Sequence, residues 1–277
     1  MSDSTLKEKL ARLLFPAYKN YAPTVFHNKL RSFLSSRSEH KFLFILSPPY
    51  CGSTLLNELI STSRAVSVNN AYGSREGQTL PTVRAIMFDH QDRWNASHDF
   101  DWKKIKREWM KYWDLTYPVL LEKSPPNLVR AESISKVFDP AFFIIFYRNP
   151  YAHCESLMRR NKVTPQNAAN FALKSLRHQR DNKEHLENAI VISYEMLTTE
   201  PERAVALLAS HIPELKDIDI NRSFSAHNFQ KQEKMKIKNL NQAKLENLSR
   251  EDIHAINGIF EKQQELLTYF GYQMLEP

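Results

Sequence analysis

The feature that most constrains this chain is a strand, a tight turn and a helix within residues 42–60, which read FLFILSPPYCGSTLLNELI. The apolar run before the turn predicts a buried strand, and the stretch from Ser53 predicts a helix. The first turn of a helix leaves backbone N–H groups without partners, at the positive end of the helix dipole. With the hydroxyl groups of Ser53 and Thr54, these N–H groups predict a site for a phosphate-like anion.

The turn differs from the phosphate-binding loop of nucleotide triphosphatases. That loop has four residues between two glycines, followed by Lys and then Ser or Thr. Here Gly52 is the one glycine of the turn. The difference weakens the interpretation of the chain as a kinase or GTPase, and a small-molecule kinase with an atypical loop remains an alternative.

A second segment repeats this design at residues 141–160, which read AFFIIFYRNPYAHCESLMRR. Arg148 ends the predicted strand, and Ser156 follows eight residues later on the predicted helix. A planar guanidinium with five donors and a hydroxyl group suit the several acceptor oxygens of a phosphate. Two anion sites at the ends of two parallel strands predict a nucleotide with a charged group at each end.

Two further segments carry candidate chemical groups between these sites. Residues 119–130 read VLLEKSPPNLVR, an apolar strand that ends at Lys123. Residues 73–81 read GSREGQTLP, in which two glycines bracket Glu76 and predict a tight turn that exposes its carboxylate.

Taken in order, these segments resemble the motifs of sulfotransferases that use 3′-phosphoadenosine 5′-phosphosulfate. Residues 49–55 resemble their phosphosulfate loop, which is commonly Pro, a basic residue, Ser, Gly, Thr and Thr. Residues 122–125 match the Glu-Lys-Ser-Pro stretch of short bacterial members, and residues 73–81 are similar to the Gly-Gly-Glu-Thr-Arg stretch of tyrosylprotein sulfotransferases. The resemblance covers roughly residues 41–272.

The resemblance implies a role for each residue that matches a motif. Glu76 would take the proton from the acceptor, and Lys123 would stabilise charge on the leaving phosphate. His90 is the rival base because many members use a histidine, and His98 is a weaker rival. Tyr194, within the matching stretch 189–203, would lie near the adenine. The implied cofactor-binding residues are Tyr50, Cys51, Gly52, Ser53, Thr54, Leu55, Arg148, Ser156, Tyr194, Lys236 and Lys238, with Lys234 in the same basic run.

One departure from the family pattern bears on activity. The basic residue of the phosphosulfate loop falls at Tyr50, which offers a hydrogen bond in place of a full charge. Either Lys123, Arg75 or a downstream lysine supplies the charge, or transfer is impaired. A catalytically silent protein that binds the same nucleotide is therefore a second alternative.

The arrangement of apolar runs predicts the fold. Strands are expected near 42–47, 65–69, 118–122, 141–147 and 189–194, alternating with helical stretches. This alternation predicts a single α/β domain over residues 41–277, with a mostly parallel central sheet flanked by helices. The resemblance implies the P-loop-like sulfotransferase fold. Residues 1–40 are expected to form a helical segment, interrupted at Pro16 and Pro23, that packs on the domain or on a second subunit of a homodimer.

The composition of the chain limits which classes of partner it is expected to bind. The formal charge of +7 and the pI near 9.2 suit an anionic cofactor such as 3′-phosphoadenosine 5′-phosphosulfate. Nucleic acid is the competing partner, but the basic residues are scattered and no nucleic-acid-binding motif occurs. Cys51 and Cys154 predict free thiols in a reducing, cytoplasmic setting. No membrane partner and no metal are expected, because long apolar runs and paired His or Cys spacings are lacking.

The acceptor is expected to contact the region 82–117. This region contains the aromatic residues Phe88, Trp94, Trp102, Trp109, Tyr112 and Trp113 and the acids Asp89, Asp92, Asp99 and Asp101. If aromatic residues line the site, the acids favour a cationic or polyol small molecule. The resemblance to short bacterial members implies an enzyme of secondary metabolism, similar to those that sulfate saxitoxin-like guanidinium alkaloids.

Overall fold

The computed structural model of the protein describes residues 17–35, 37, 39–222, 224–225, 234–235 and 237–277. The strands are β1 (Lys41–Leu46), β2 (Val66–Val68), β3 (Val119–Glu122), β4 (Ala141–Tyr147), β5 (Ala189–Ser193), β6 (Phe224–Ser225) and β7 (Lys234–Met235). The helices are α1 (Ala17–Ser35), α2 (Ser53–Ile60), α3 (Arg84–Met87), α4 (Trp102–Trp109), α5 (Ala131–Ser135), α6 (Pro150–Asn161), α7 (Pro165–His185), α8 (Tyr194–Thr199), α9 (Pro201–His211), α10 (Asn241–Leu245), α11 (Arg250–Phe260) and α12 (Gln264–Tyr269). Short 3₁₀ turns occur at Gly77–Thr79, Pro125–Val129, Pro213–Leu215 and Glu261–Gln263.

The centre of the fold is a five-stranded parallel sheet in the order β2-β3-β1-β4-β5. The predicted α/β class with a parallel central sheet is confirmed. In the register of the sheet, Phe44 lies opposite Glu122 on one side and Phe143 on the other. The carboxyl ends of β1, β3 and β4 therefore meet at one edge, where the three predicted motifs begin.

The sheet is covered on both faces because its central strands are apolar throughout. Side chains alternate along β1, so Phe42, Phe44 and Leu46 enter one core cluster while Leu43 and Ile45 enter another. The first cluster holds four of the six aromatic residues predicted in the region 82–117, which are Trp102, Trp109, Tyr112 and Trp113, together with Phe138. Those aromatic side chains are core residues.

The helices that follow β4 begin where the sequence supplies caps. Pro150 is the first residue of α6, and the Asn149 side chain accepts hydrogen bonds from the N–H groups of Tyr151 and Ala152. The Thr164 side chain caps α7 in the same way. Such caps satisfy donors at the helix start. They fix the turn after β4, in which Arg148 lies.

Helix α1 packs on the domain. The Asn28 side chain donates a 2.7 Å hydrogen bond to the carbonyl of Tyr112, and Arg31 forms a 2.9 Å ion pair with Asp114. The expected interruption at Pro23 is wrong, because Pro23 lies inside α1. We attribute this to tertiary contacts that offset the lost backbone hydrogen bond. Pro16 lies outside the described residues.

Within the described ranges, no helix combines the length and the apolar character that a membrane crossing requires.

Candidate active site

The turn between β1 and α2 is held in an unusual backbone conformation. Tyr50 and Gly52 have positive φ values of 66° and 94°. Gly52 precedes α2, and no side chain caps the helix at this position. A Cβ atom on Gly52 would lie 2.6 Å from the ring of Tyr194, so this position requires glycine. In the uncapped first turn of α2 the N–H of Leu55 donates to the carbonyl of Gly52 at 2.9 Å, whereas the N–H groups of Ser53 and Thr54 have no backbone acceptor among the described residues.

Lys123 connects the turn between β1 and α2, where the anion is predicted to bind, to Glu76, the predicted base. Its Nζ donates to Oγ1 of Thr54 at 3.3 Å, to the carbonyl of Ser74 at 2.5 Å and to Oε1 of Glu76 at 3.3 Å. The side chain is 1% exposed. Burial lowers the pKa of Lys123, and the Glu76 carboxylate opposes that shift. The structure thus brings two predicted residues, Thr54 and Glu76, from two other segments to the ammonium group of Lys123.

The turn that carries Glu76 is fixed by residues on either side of Lys123. The N–H of Gly77 donates to Oε1 of Glu122 at 3.0 Å, and the N–H of Gln78 donates to Oγ of Ser124 at 2.9 Å. A Cβ atom on Gly77 would lie 2.7 Å from the Glu122 carboxylate. The Glu-Lys-Ser sequence therefore has two roles. Glu122 and Ser124 hold the turn that carries Glu76, and Lys123 between them contacts Glu76 itself.

Glu122 is a buried carboxyl group that the sequence analysis did not single out. Burial raises the pKa of Glu122 to about 7, while hydrogen bonds from Ser124 and Gly77 oppose the shift. The Asn127 side chain also donates to it. The sequence signal that could have identified Glu122 is its position as an acidic residue at the end of an apolar strand.

Arg148 is a buried cation without a charged hydrogen-bond partner in the described part of the chain. Its Nε donates to Oδ1 of Asn241 at 2.6 Å, and its Nη1 donates to the carbonyl of Tyr50 at 3.4 Å. The guanidinium lies 3.9 Å from the centre of the Tyr194 ring, and Nη2 is buried without a partner. A buried cation with a free donor favours an anionic ligand. The residues here fit the phosphate end of a nucleotide.

Ser156 is buried in α6. Its hydroxyl donates to the carbonyl of Ala152 at 2.9 Å and to Glu155 at 3.3 Å. Lys244 is half-buried nearby and forms a 2.7 Å ion pair with Glu155. Its charge also acts on Arg148, which makes it a basic residue of this site that the sequence analysis missed.

The predicted C-terminal basic run contributes its backbone to the site. Lys238 is exposed, and its carbonyl accepts a 3.2 Å hydrogen bond from the Tyr194 hydroxyl. Tyr194 is packed between Gly52 and Arg148. Lys236 and the Lys234 side chain lie outside the described residues.

The hydroxyl of Tyr50 contacts the last residue of α6. The hydroxyl donates to Oδ1 of Asn161 at 2.7 Å, and the residue is 40% exposed. Arg75, one of the expected substitutes for the missing charge, lies 3.4 Å from Glu58. Cys51 and Leu55 face inward, and burial raises the pKa of Cys51 to about 12.

Arg93 is a further cation near Glu76 that the sequence analysis did not identify. Its Nη1 donates to the carbonyl of Phe88 at 3.1 Å, and its guanidinium lies over the rings of Phe88 and Trp94. Its Nε is buried without a partner in the described part of the molecule. Burial lowers the pKa of Arg93, and the charge of Glu76 opposes this, which places Arg93 within electrostatic reach of the predicted base.

His90, the rival base, lies against His98. The two rings are stacked with centroids 4.5 Å apart, and both pack on Phe100. The Nδ1 atom of His90 accepts a hydrogen bond from the N–H of Asp92 at 3.1 Å. The structure thus groups His90 with a loop cluster, whereas Glu76 contacts Lys123.

All four acids expected near the acceptor have local structural contacts. The Asp92 carboxylate accepts a 3.4 Å hydrogen bond from the Asn95 side chain. Asp89 pairs with Arg84, Asp99 accepts from the indole N–H of Trp102, and Asp101 caps α4. Among the described residues, no group of three or more His, Cys, Asp or Glu side chains is arranged to hold a metal ion.

The parallel sheet carries the predicted anion-binding turn after β1, a buried lysine after β3 and a buried arginine after β4, in the order that the sequence motifs predicted. The chain belongs to the sulfotransferase family, whose model matches residues 43–214. The resemblance found in the sequence is thereby confirmed.

Solved structures share the fold. One is the sulfotransferase domain from the curacin biosynthetic pathway, which is 17% identical with a TM-score of 0.52 over 87% of this chain and 100% of that domain. Another is the sulfotransferase domain from the Synechococcus PCC 7002 olefin synthase, which is also 17% identical with a TM-score of 0.52, over 86% of this chain and 97% of that chain. A comparison with curated protein sequences found no match.

Proposed function

We propose that the protein transfers a sulfuryl group from 3′-phosphoadenosine 5′-phosphosulfate to a hydroxyl group or nitrogen of a small-molecule acceptor. One observation carries the proposal: the buried ammonium of Lys123 lies 3.3 Å from both the Thr54 hydroxyl of the anion loop and the Glu76 carboxylate. A cation shared by an anion site and a carboxylate suits charge stabilisation on one side and proton removal on the other.

The donor would be held at its two ends by different elements. The first turn of α2, with Ser53 and Thr54, would bind the phosphosulfate, and Arg148 with Ser156 would bind the 3′-phosphate. The ring of Tyr194 would lie near the adenine. When bound, the donor supplies an activated sulfuryl group whose transfer passes through a loose, nearly in-line transition state, as phosphoryl transfer does. Positioning and charge neutralisation are then the main tasks of the protein.

The chain's own groups divide these tasks. Glu76 would accept the proton of the attacking group at its carboxylate, and Lys123 would donate hydrogen bonds to the oxygen that gains charge. Lys123 is held by Ser74 and Glu76, so it needs little reorganisation. Arg93, in electrostatic contact with Glu76 and Tyr50, would supply part of the positive charge that the loop lacks at Tyr50.

The acceptor would enter from the side of Phe88, Arg93 and Trp94, where the Arg93 guanidinium lies over both aromatic rings. We propose a secondary metabolite as the acceptor, in keeping with the resemblance of the motifs to short bacterial members of the family.

Transfer of labelled sulfate from the donor to a panel of hydroxyl and amine acceptors tests the proposal. The wild type is expected to label at least one acceptor, and Glu76→Gln is expected to lower the rate by about 10²-fold or more while still binding adenosine 3′,5′-bisphosphate. His90→Gln serves as the matched variant for the rival base. Nucleotide binding without transfer would favour the silent binding protein, and displacement of the bisphosphate by ATP would favour a kinase.

A further inference from the structure

The C-terminal part of the chain adds a polar residue to the Arg148 site. Nε of Arg148 donates a 2.6 Å hydrogen bond to Oδ1 of Asn241, the first residue of α10. Both side chains are buried, and 93 positions separate them in the sequence. This bond links the turn after β4 to the last quarter of the fold.

The amide of Asn241 has one orientation that satisfies its surroundings. Its Nδ2 donates to Oε1 of Glu195 at 2.5 Å, while its Oδ1 accepts from Arg148. If the amide were reversed, its NH₂ group would face the Arg148 guanidinium and its oxygen would face the Glu195 carboxylate. Both hydrogen bonds would then be lost. The carboxylate on one side and the guanidinium on the other therefore fix the amide.

Glu195 is itself held by two more donors. The N–H of Asn149 and the hydroxyl of Tyr272 each donate to its carboxylate at 2.9 Å. Burial and the Glu195 carboxylate raise the pKa of Tyr272, so the hydroxyl keeps the proton that it donates. A chain of hydrogen bonds thus runs from Tyr272 through Glu195 and Asn241 to Arg148.

These hydrogen bonds leave one nitrogen of the Arg148 guanidinium, Nη2, without a partner. Nε is bound to Asn241, Nη1 to the carbonyl of Tyr50, and the planar face lies on Tyr194, whereas Nη2 is buried without a partner. Because Asn241 is neutral, it orients Arg148 without cancelling its charge. A carboxylate in the same place would pair with Arg148 and compete with an incoming anion.

We propose that Asn241, supported by Glu195 and Tyr272, is a positioning residue that holds Arg148 for the 3′-phosphate and so makes the site selective for 3′-phosphorylated adenine nucleotides. The inference rests on the proposed function, since it concerns the same nucleotide site. It adds the residues that set the selectivity of that site.

Calorimetric titration with adenosine 3′,5′-bisphosphate and with adenosine 5′-monophosphate tests the inference. The ratio of the two Kd values measures selectivity for the 3′-phosphate, which a purely structural role would not change. Asn241→Asp is expected to weaken bisphosphate binding by about tenfold or more and to change monophosphate binding by no more than about twofold. Tyr272→Phe is expected to lower the ratio less, because one of three bonds to Glu195 is lost.

Asn257→Ala is the matched control. Asn257 is about as buried as Asn241, but it binds Tyr151 and the carbonyl of Leu275. The ratio of the two Kd values in Asn257→Ala should equal that of the wild type, even if the free energy of unfolding of this variant is lower. An unchanged ratio in folded Asn241→Asp overturns the inference, and if that variant does not fold, an unchanged ratio in Tyr272→Phe overturns it. A wild type that binds neither nucleotide contradicts the proposed function itself.

Discussion

Glu122, one residue before Lys123, makes the stability of the fold depend on pH at the scale of single residues. In an unfolded chain its pKa is near 4.5, and burial in the folded chain raises the pKa to about 7. Between these values the folded chain binds more protons at this group than the unfolded chain does. The free energy of unfolding therefore falls as pH rises through this window, by about 3 kcal/mol for this group.

Glu122→Gln should remove this pH dependence. The neutral amide keeps an acceptor for the N–H of Gly77, and the Asn127 amide can turn to accept, because its Oδ1 is buried without a partner. Urea unfolding at about pH 5 and about pH 8 should show the wild type losing stability relative to the variant at the higher pH. Parallel pH profiles for the two proteins would show that Glu122 does not titrate in this window.

Gly77 is the critical position at the scale of elements, because the turn that carries Glu76 packs closely against β3 and α4. A Cβ atom there would lie 2.5 Å from the Asn69 amide, 2.7 Å from the Glu122 carboxylate and 3.0 Å from the indole nitrogen of Trp109. Gly77→Ala is expected to lower the free energy of unfolding by about 1–3 kcal/mol. It should also displace Glu76 and slow transfer.

Gly258 provides the comparison for this prediction. It lies in α11, and a Cβ atom would meet nothing within 4 Å. Gly258→Ala is expected to raise the free energy of unfolding by up to about 1 kcal/mol, because alanine favours a helix. Equal effects of the two substitutions in denaturant unfolding would contradict the close packing of the Glu76 turn.

The elements were predictable from sequence where the signal was local. The apolar runs that end before Ser47, Glu122 and Arg148 located three adjacent strands, and the polar residues at their ends located the candidate site. Contacts between distant segments had no such signal. Glu122 holds Gly77 across 45 positions, and Asn241 holds Arg148 across 93 positions. Such partners are set by tertiary packing, which a single sequence does not encode in a periodic pattern.

At the scale of the whole molecule, α1 is connected to the candidate site. The Tyr21 hydroxyl donates to Oδ1 of Asn70 at 3.0 Å, and Nδ2 of Asn70 donates to the carbonyl of Glu76 at 2.8 Å. Tyr21→Phe removes the first bond and is expected to lower kcat about fivefold, with unchanged affinity for adenosine 3′,5′-bisphosphate. Single-turnover transfer measures the effect, and an equal loss of nucleotide affinity would argue against a specific connection to Glu76.

The central claim is that the molecule binds a doubly charged adenine nucleotide at both ends, and calorimetric titration with adenosine 3′,5′-bisphosphate tests it most directly. The account predicts binding by the wild type and a loss of about tenfold or more in Arg148→Gln, since a hydrogen-bonded charge is removed. ATP, which lacks a 3′-phosphate, should compete poorly. No binding by the wild type, or equal affinity in Arg148→Gln, would contradict the account.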